Sequence, residues 1–229
     1  MKQDIYKIDN SIDKLKKGKN TLFLDGKELK LIQSKLRKKE YNIYYPYKTS
    51  EKGILYQKKI PLVTLFEIHS YHPLKHQDIL GSILHLISSN YLGDIIIDEE
   101  KYYFYILSEL KEYIQNNLTM IGKYKVTLEE IELETLKDYE RKYEEEEIIV
   151  TSLRIDHIIS RIIKTGRDKV VEKIKNKEII LNYDILTKNS YVLKENDIFS
   201  IRRYGKYKFI GITNHTKKDN YVIKYLKYI

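Results

Sequence analysis

The chain reads as an α+β protein in three successive parts: a basic, helical N-terminal region, a β-α-β-β-α-β middle, and a C-terminal helix pair followed by strands. Three observations carry this reading. Apolar residues recur every three to four positions in some segments and alternate in others, the two periods that separate helices from strands. Charge changes sign along the chain: residues 1–60 are net +9, residues 61–150 net −10 and residues 151–229 net +10, so the overall +9 conceals two basic blocks around an acidic one. With 42% hydrophobic residues and a mean hydropathy of −0.51, the 229 residues hold enough apolar material for packed cores.

Composition also excludes function classes. Cysteine is absent, which rules out disulfide frameworks, thiolate metal sites, iron–sulfur clusters and cysteine nucleophiles. The first twenty residues have no apolar stretch of the signal-peptide kind, and no segment approaches the ~18 uninterrupted apolar residues of a membrane helix. A cytoplasmic protein with no membrane partner is expected. No G-x-x-x-x-G-K-[ST], G-x-G-x-x-G or G-x-S-x-G stands in the sequence. His69, His72 and His76 are irregularly spaced with Pro73 between them, which argues for structural histidines and no metal site. No catalytic residue and no cofactor is expected.

The elements follow in order. In residues 1–60, Asp25 and Glu28 have the spacing of a capping box, and Leu29, Ile32 and Leu36 then share one helical face. The tyrosine- and lysine-rich stretch after Glu40, broken by Pro46 and Gly53, is expected as a strand pair or ordered loop in which Tyr44, Tyr45 and Tyr56 are core or half-buried. Residues 61–138 give a strand (LVTLFEI), a helix with Ile79, Ile83, Leu84, Leu86 and Ile87 at helical spacing, two strands (GDIII, KYYFYIL), a helix with Leu107, Leu110, Ile114 and Leu118 on one face, and an alternating strand (KYKVTLEEI). This order is that of ferredoxin-like and RNA-recognition-motif folds. KYYFYIL places aromatics where such a motif stacks bases. The net −10 opposes phosphate binding, so the middle is read as a spacer or protein-facing module. Residues 139–150, with four consecutive glutamates, are expected as a solvated connector.

Residues 151–229 hold five of the seven arginines. In a lysine-biased chain an arginine is the more informative residue, because its planar fork matches phosphate. SLRIDHIISRIIKTGRDKVVEKIKNKEIILN predicts two short helices broken at Thr165-Gly166. The first buries Leu153, Ile155, Ile158 and Ile159 with Ile162 or Ile163; the second buries Val170, Val171 and Ile174. Arg154 opens one helix and Arg167 the other, where unpaired backbone N–H groups favour anions. Candidate RNA contacts are Arg154 and Arg167, with Arg161, Lys164, Lys169 and Lys173 extending the same face. Arg202, Arg203, Lys206, Lys208, Lys217 and Lys218 are expected to form a second basic strip. Asp156 is read as support for the helix start.

LRID, GR, ILN and ND-IFSIR, in that order, resemble an S4 RNA-binding domain, with Asn182 closing its hydrophobic–Asn strand end, Gly166 where that family has Ser, and Asn196-Asp197 where it has Gly-Asp. The likeness extends along the chain. His76, Asp78, Leu80, Gly81, Gly93, Asp94 and Ile95 match the middle domain of the YlmH family; FLDGKE resembles its start and the basic C-terminal run its tail. Gln77 replaces a family arginine and Ile87 a glycine. The resemblance implies a bacterial, S4-containing RNA-binding protein, and a monomer is expected. It also implies association with rRNA of the large (50S) ribosomal subunit and with peptidyl-tRNA during rescue of stalled subunits, and a genetic neighbourhood of cell division. S4 modules also occur in pseudouridine synthases, RNA methyltransferases and tyrosyl-tRNA synthetases, but residues 61–150 are short for a catalytic domain and carry no cofactor loop. A cell-division interaction protein indifferent to RNA is the other alternative.

Overall fold

The computed structural model describes residues 2–229, with side chains from Tyr6 onward. They divide into two compact units, one ending at Glu140 and the other spanning Arg141–Ile229. Both mix helix and sheet, so the α+β class read from the sequence holds.

The first unit opens with helices α1 (Lys2–Lys16) and α2 (Gly26–Lys35). The capping box is formed: Glu28 N–H donates to Asp25 Oδ1 at 2.9 Å and Asp25 N–H to Glu28 Oε2 at 3.0 Å. It fixes where α2 begins, and so which face, Leu29 and Ile32, meets Ile8, Ile12 and Leu15 of α1 in a small core. A 3-10 turn (Lys38–Glu40) leads into a hairpin of β1 (Asn42–Tyr44) and β2 (Ile54–Tyr56).

Next come β3 (Val63–His69), α3 (His76–Leu86), β4 (Leu92–Asp98), β5 (Lys101–Leu107), α4 (Lys111–Asn117), a two-residue hairpin of β6 (Met120–Ile121) and β7 (Tyr124–Lys125), and β8 (Thr127–Ile131). The sheet order is β4-β5-β3-β8, antiparallel throughout. The β-α-β-β-α-β order is therefore present, with one addition. KYKVTLEEI is not one strand: Val126 turns to donate its N–H to the Thr119 carbonyl, and β7 and β8 form on either side.

Alternation along the strands sorts residues onto two faces. Phe66, Ile68, Phe104 and Ile106 pack against Ile79 and Ile83 of α3 and Ile114 of α4. Leu65, Tyr103 and Tyr105 point the other way and are buried as well, under Phe23, Tyr47, Ile54 and Leu136. The N-terminal region is thus no separate module but the second layer of this unit, because three large side chains of the sheet would otherwise face water.

The second unit runs β9 (Tyr143–Val150), α5 (Ile155–Ile162), α6 (Arg167–Lys175), β10 (Ile179–Leu181), β11 (Asp184–Ile185), β12 (Ile198–Ile201), β13 (Gly205–His215) and β14 (Tyr221–Tyr228). Its antiparallel sheet has the order β11-β10-β12-β13-β14-β9. The two helices cover one face, burying Ile155, Ile158, Ile159, Val170 and Ile174 against Phe199, Tyr207, Phe209 and Tyr225. Leu153, Val171, Ile162 and Ile163 are only partly buried, since each helix is barely two turns long.

The glutamate run is the clearest correction to the sequence reading. Residues Glu144–Glu147 are not a connector but the body of strand β9, paired residue for residue with β14. The partner strand supplies the compensating groups: Lys227 Nζ meets Glu144 at 2.7 Å, Lys224 Nζ meets Glu145 at 3.1 Å, and Tyr225 Oη donates to Glu146 at 2.6 Å. Opposite charges across a strand pair stabilise it. A row of carboxylates on the outer edge also discourages pairing with another chain.

Candidate nucleic-acid interface

The junction between α5 and α6 gathers the arginines singled out by sequence. Backbone bonds at Ile155 (N–H to the Tyr191 carbonyl, 2.8 Å) and Leu193 (N–H to the Leu153 carbonyl, 3.0 Å) pin the chain where α5 begins. Arg154 is the residue before the helix and Asp156 lies in its first turn. The chain reverses at Lys164, which has φ +50°, and Gly166 caps α6 from an extended conformation with no side-chain bond. A Cβ at Gly166 would meet nothing within 4 Å, so the site would accept a serine.

Asp156 is 2% exposed. Arg154 donates to it twice, from Nε to Oδ1 at 3.1 Å and from an Nη to Oδ2 at 2.8 Å, and an Nη of Arg167 reaches Oδ2 at 3.1 Å. The His157 N–H adds a fourth bond, to Oδ1 at 2.8 Å. Burial alone would raise the Asp156 pKa, but the hydrogen bonds and charge of the two arginines hold it below the usual carboxylate value. Burial, then the charges of Arg167 and Arg161, lower His157 and keep it neutral at pH 7. A buried carboxylate thus clamps two guanidinium groups from successive helices, leaving 37% of the Arg154 and 50% of the Arg167 side chain in solvent. The guanidinium donors not bonded to Asp156 belong to these partly exposed side chains, and their chemistry suits phosphate oxygens.

The sign of the Asp156 shift sets a pH expectation. A carboxylate whose folded pKa is depressed contributes stability that is complete above its unfolded value, about 3.9, and is lost as pH falls through the folded one. Acid unfolding of the parent should therefore show a transition below about pH 4 that Asp156→Asn flattens, measurable by circular dichroism from pH 7 to 2.

The other predicted residues do not all join this cluster. Arg161 sits in the last turn of α5 and Lys169 in the first turns of α6, both exposed. Lys173 is partly committed, bonding Glu178 at 2.8 Å and lying 5.3 Å from the Tyr204 ring centre. Arg202 and Arg203 come to the same end of α6: the Arg202 N–H bonds the Glu178 carbonyl at 2.9 Å. The Lys173 hydrogen bond lowers Glu178, burial opposes it, and the charges of Lys173, Arg202 and Arg203 add to the lowering. Asn182 is occupied within the protein. It adopts φ +48°, its Nδ2 donates to Asp197 at 2.7 Å, and its Oδ1 accepts from Ile198 N–H at 2.9 Å. Asp197, 7% exposed, also accepts from Tyr191 and the Lys194 N–H. Asn196 has φ +67°, a conformation suited to glycine or asparagine, which accounts for the asparagine at this turn.

The second basic strip does not exist as one surface. Along β13, Tyr207 and Phe209 face the helices, so Lys206 and Lys208 lie on the opposite face, Lys206 with its ammonium 4.6 Å from the Tyr228 ring centre. Lys217 and Lys218 sit in the β13–β14 turn, roughly 30 Å of strand away from Arg203 at ~3.3 Å per residue. Pairing and pleat, invisible in a linear run of lysines, separate them.

In the first unit, the aromatics of KYYFYIL are closed to ligands. Tyr103 and Tyr105 are 4% and 0% exposed, and Tyr47 stacks on Tyr105 at 5.6 Å between ring centres. The GDI triplet holds this cover in place. Asp94 accepts from Tyr47 Oη (2.9 Å), Ser50 Oγ (2.9 Å) and Glu51 N–H (2.8 Å), and Lys52 Nζ donates to the Leu92 carbonyl at 2.7 Å. A Cβ on Gly93 would lie 2.8 Å from the Tyr105 Cβ and 2.9 Å from the Phe23 Cζ. The histidines are apart: His69 pairs with Glu129 at 2.8 Å, His72 stacks on Tyr124 at 4.4 Å, and His76 begins α3. Among the described residues no group of three or more His, Asp or Glu is placed to hold a metal ion, and no helix is long and apolar enough to cross a membrane.

The α+β chain thus carries paired guanidinium groups mounted on a buried carboxylate, chemistry suited to an anionic partner. Comparison with known proteins adds that residues 59–135 match the family model described as "Putative RNA-binding domain in YlmH", which bears out the resemblance to the YlmH family. Over 221 residues the chain is 25% identical to the ribosome-associated protein quality control protein P2 of Bacillus subtilis (strain 168), a match covering 90% of this chain and 86% of that protein. The solved structure of cell division protein YlmH from Streptococcus pneumoniae shares the fold at a TM-score of 0.50 and 22% identity, covering 60% of this chain and 94% of that one.

Proposed function

We propose that this chain is a non-catalytic RNA-binding protein that holds structured rRNA or tRNA on the large ribosomal subunit, in rescue of stalled 50S particles carrying peptidyl-tRNA. In this reading residues 151–229 are an S4 RNA-binding domain and residues 61–138 a ferredoxin-like, RNA-recognition-motif-like domain whose sheet face is closed by the N-terminal layer. The observation that carries it is the Arg154–Asp156–Arg167 cluster, two guanidinium forks fixed by one buried carboxylate. Free surface arginines lose side-chain entropy on gripping a backbone; these two are already ordered, so their outward donors can meet successive phosphates at lower cost. Arg161, Lys164 and Lys169, exposed on the same helices and the turn between them, add further positive charge. The relative from Bacillus subtilis, named for ribosome-associated quality control, supports the ribosome as the place where that RNA is met, and its name speaks for a binding role over an RNA-modifying one.

Sedimentation of cell extract through sucrose, followed by crosslinking and RNA sequencing, tests this. The protein should travel with 50S particles at moderate salt, crosslink to rRNA or tRNA through its C-terminal unit, and be released as salt rises, because each phosphate contact displaces counterions. A protein that stays at the top of the gradient at every salt concentration would overturn the proposal.

A further inference from the structure

The net +9 of residues 1–60 is not absorbed by the C-terminal site, and its geometry assigns it a role. The 3-10 turn Lys38–Glu40 and the loop after β2 lie side by side. The β1–β2 register sets Asn42 opposite Tyr56, and Gln57 Nε2 donates to the Glu40 carbonyl at 3.0 Å. Two segments far apart in sequence thereby bring Arg37, Lys38, Lys39, Lys58 and Lys59 onto one surface, and all five are exposed. Among the described residues none of them is held in an ion pair, whereas Lys7, Lys35, Lys48, Lys111 and Lys137 of the same unit each have a carboxylate partner. Glu40 lies among them, its Oε2 accepting the Arg37 N–H at 3.2 Å, and Glu109 shares with Lys59, Ile60 and Leu62 the lining of a shallow cleft of about 430 Å³.

These five exposed cations, outside any ion pair among the described residues, concentrate part of the +9 of residues 1–60 in one local field. We propose that this surface is a second RNA-binding site, reading the phosphodiester backbone without regard to base sequence. Three features favour RNA over a lipid surface or an acidic protein. The charges ride on a short turn and a loop joined by a hydrogen bond, not on an amphipathic helix with a broad apolar face. One of only two arginines outside the C-terminal block, Arg37, is part of it. Lys59 also opens the stretch that matches the RNA-binding-domain model, so an RNA surface here gives that domain a contact its buried sheet face cannot make. The inference rests on the RNA-binding reading above, and adds a site on the other unit of the chain.

The test is a full-length variant with Arg37, Lys38, Lys39, Lys58 and Lys59 all changed to glutamine, whose folding is checked by its melting curve. Binding of a fluorescein-labelled 20-base-pair RNA hairpin is measured from 50 to 200 mM salt, beside the parent and an Arg154→Gln/Asp156→Asn/Arg167→Gln chain. We expect affinity at 100 mM salt to fall at least tenfold, and the log–log salt slope to fall by about 4, from five lost phosphate contacts at about 0.7–0.9 each. Affinity and slope within error of the parent would overturn the second site. So would unchanged RNA binding together with loss of binding to phosphatidylserine vesicles. If the glutamine variant is impaired while the C-terminal triple variant is not, the second site stands and the C-terminal assignment falls; the converse result removes only the second site.

Discussion

Changing Arg154 and Arg167 to glutamine, with Asp156 changed to asparagine in the same chain, should lower RNA affinity on the order of 100-fold, the loss expected when two charge-assisted contacts to phosphate disappear. Fluorescence anisotropy with a structured RNA measures it. The third substitution matters. Alanine at both arginines alone would leave Asp156, 2% exposed, as a buried carboxylate stripped of both ion-pair partners, a strongly destabilising change. Loss of binding in that variant would not separate a missing contact from a damaged helix pair. With asparagine at 156 the buried charge is gone while its shape remains, and Asn Oδ1 can still accept the His157 N–H that Asp156 accepts at 2.8 Å. Asp156→Asn alone should weaken binding less, since both guanidinium groups stay but lose their anchor. Equal affinity in all three chains would remove the arginines from the interface.

The second large effect concerns stability. Gly93→Val should lower the melting temperature of the first unit by about 8 °C, from an overpacking cost of about 2–3 kcal/mol. Its Cβ would meet the Tyr105 Cβ at 2.8 Å and Phe23 at 2.9 Å, in the layer where neither ring can move without opening the sheet face. Gly81, in the middle of α3, is the matched control. Nothing lies within 4 Å of an added Cβ there, so Gly81→Ala should raise stability by about 0.5–1 kcal/mol through helix propensity. Differential scanning calorimetry of both variants measures the contrast. A Gly93→Val protein that melts with the parent would show that the N-terminal layer does not seat on the sheet as described.

How much of this was legible in the sequence depends on how local the cause is. The capping box of Asp25 and Glu28 and the two helices broken at Thr165-Gly166 were readable, because their signals lie within a few residues. The strand character of Glu144–Glu147 was not: an isolated glutamate run reads as solvated, and the lysines and tyrosine that offset it lie about eighty positions further on, in β14. The closure of the sheet by Tyr47 was hidden for the same reason. At the candidate site, Arg154 and Arg167 were picked out by residue type and position. The role of Asp156 as their common anchor emerged only when the two helices were folded together. The split of the second basic strip follows from the pleat of β13, which sends Lys206 and Lys208 to the face away from the helices. The N-terminal surface was visible as composition but not as a site, since it needs Gln57 to reach Glu40 before Lys58 and Lys59 stand beside Arg37.

The central claim is that the chain grips ribosomal RNA through the arginine pair on Asp156. Co-sedimentation of purified parent and of the Arg154→Gln/Asp156→Asn/Arg167→Gln chain with 50S particles at 100 mM salt tests it most directly. The parent should pellet with the particles and the triple variant, melting within a few degrees of it, should remain in the supernatant. Equal recovery of the two proteins in the 50S pellet would contradict the account.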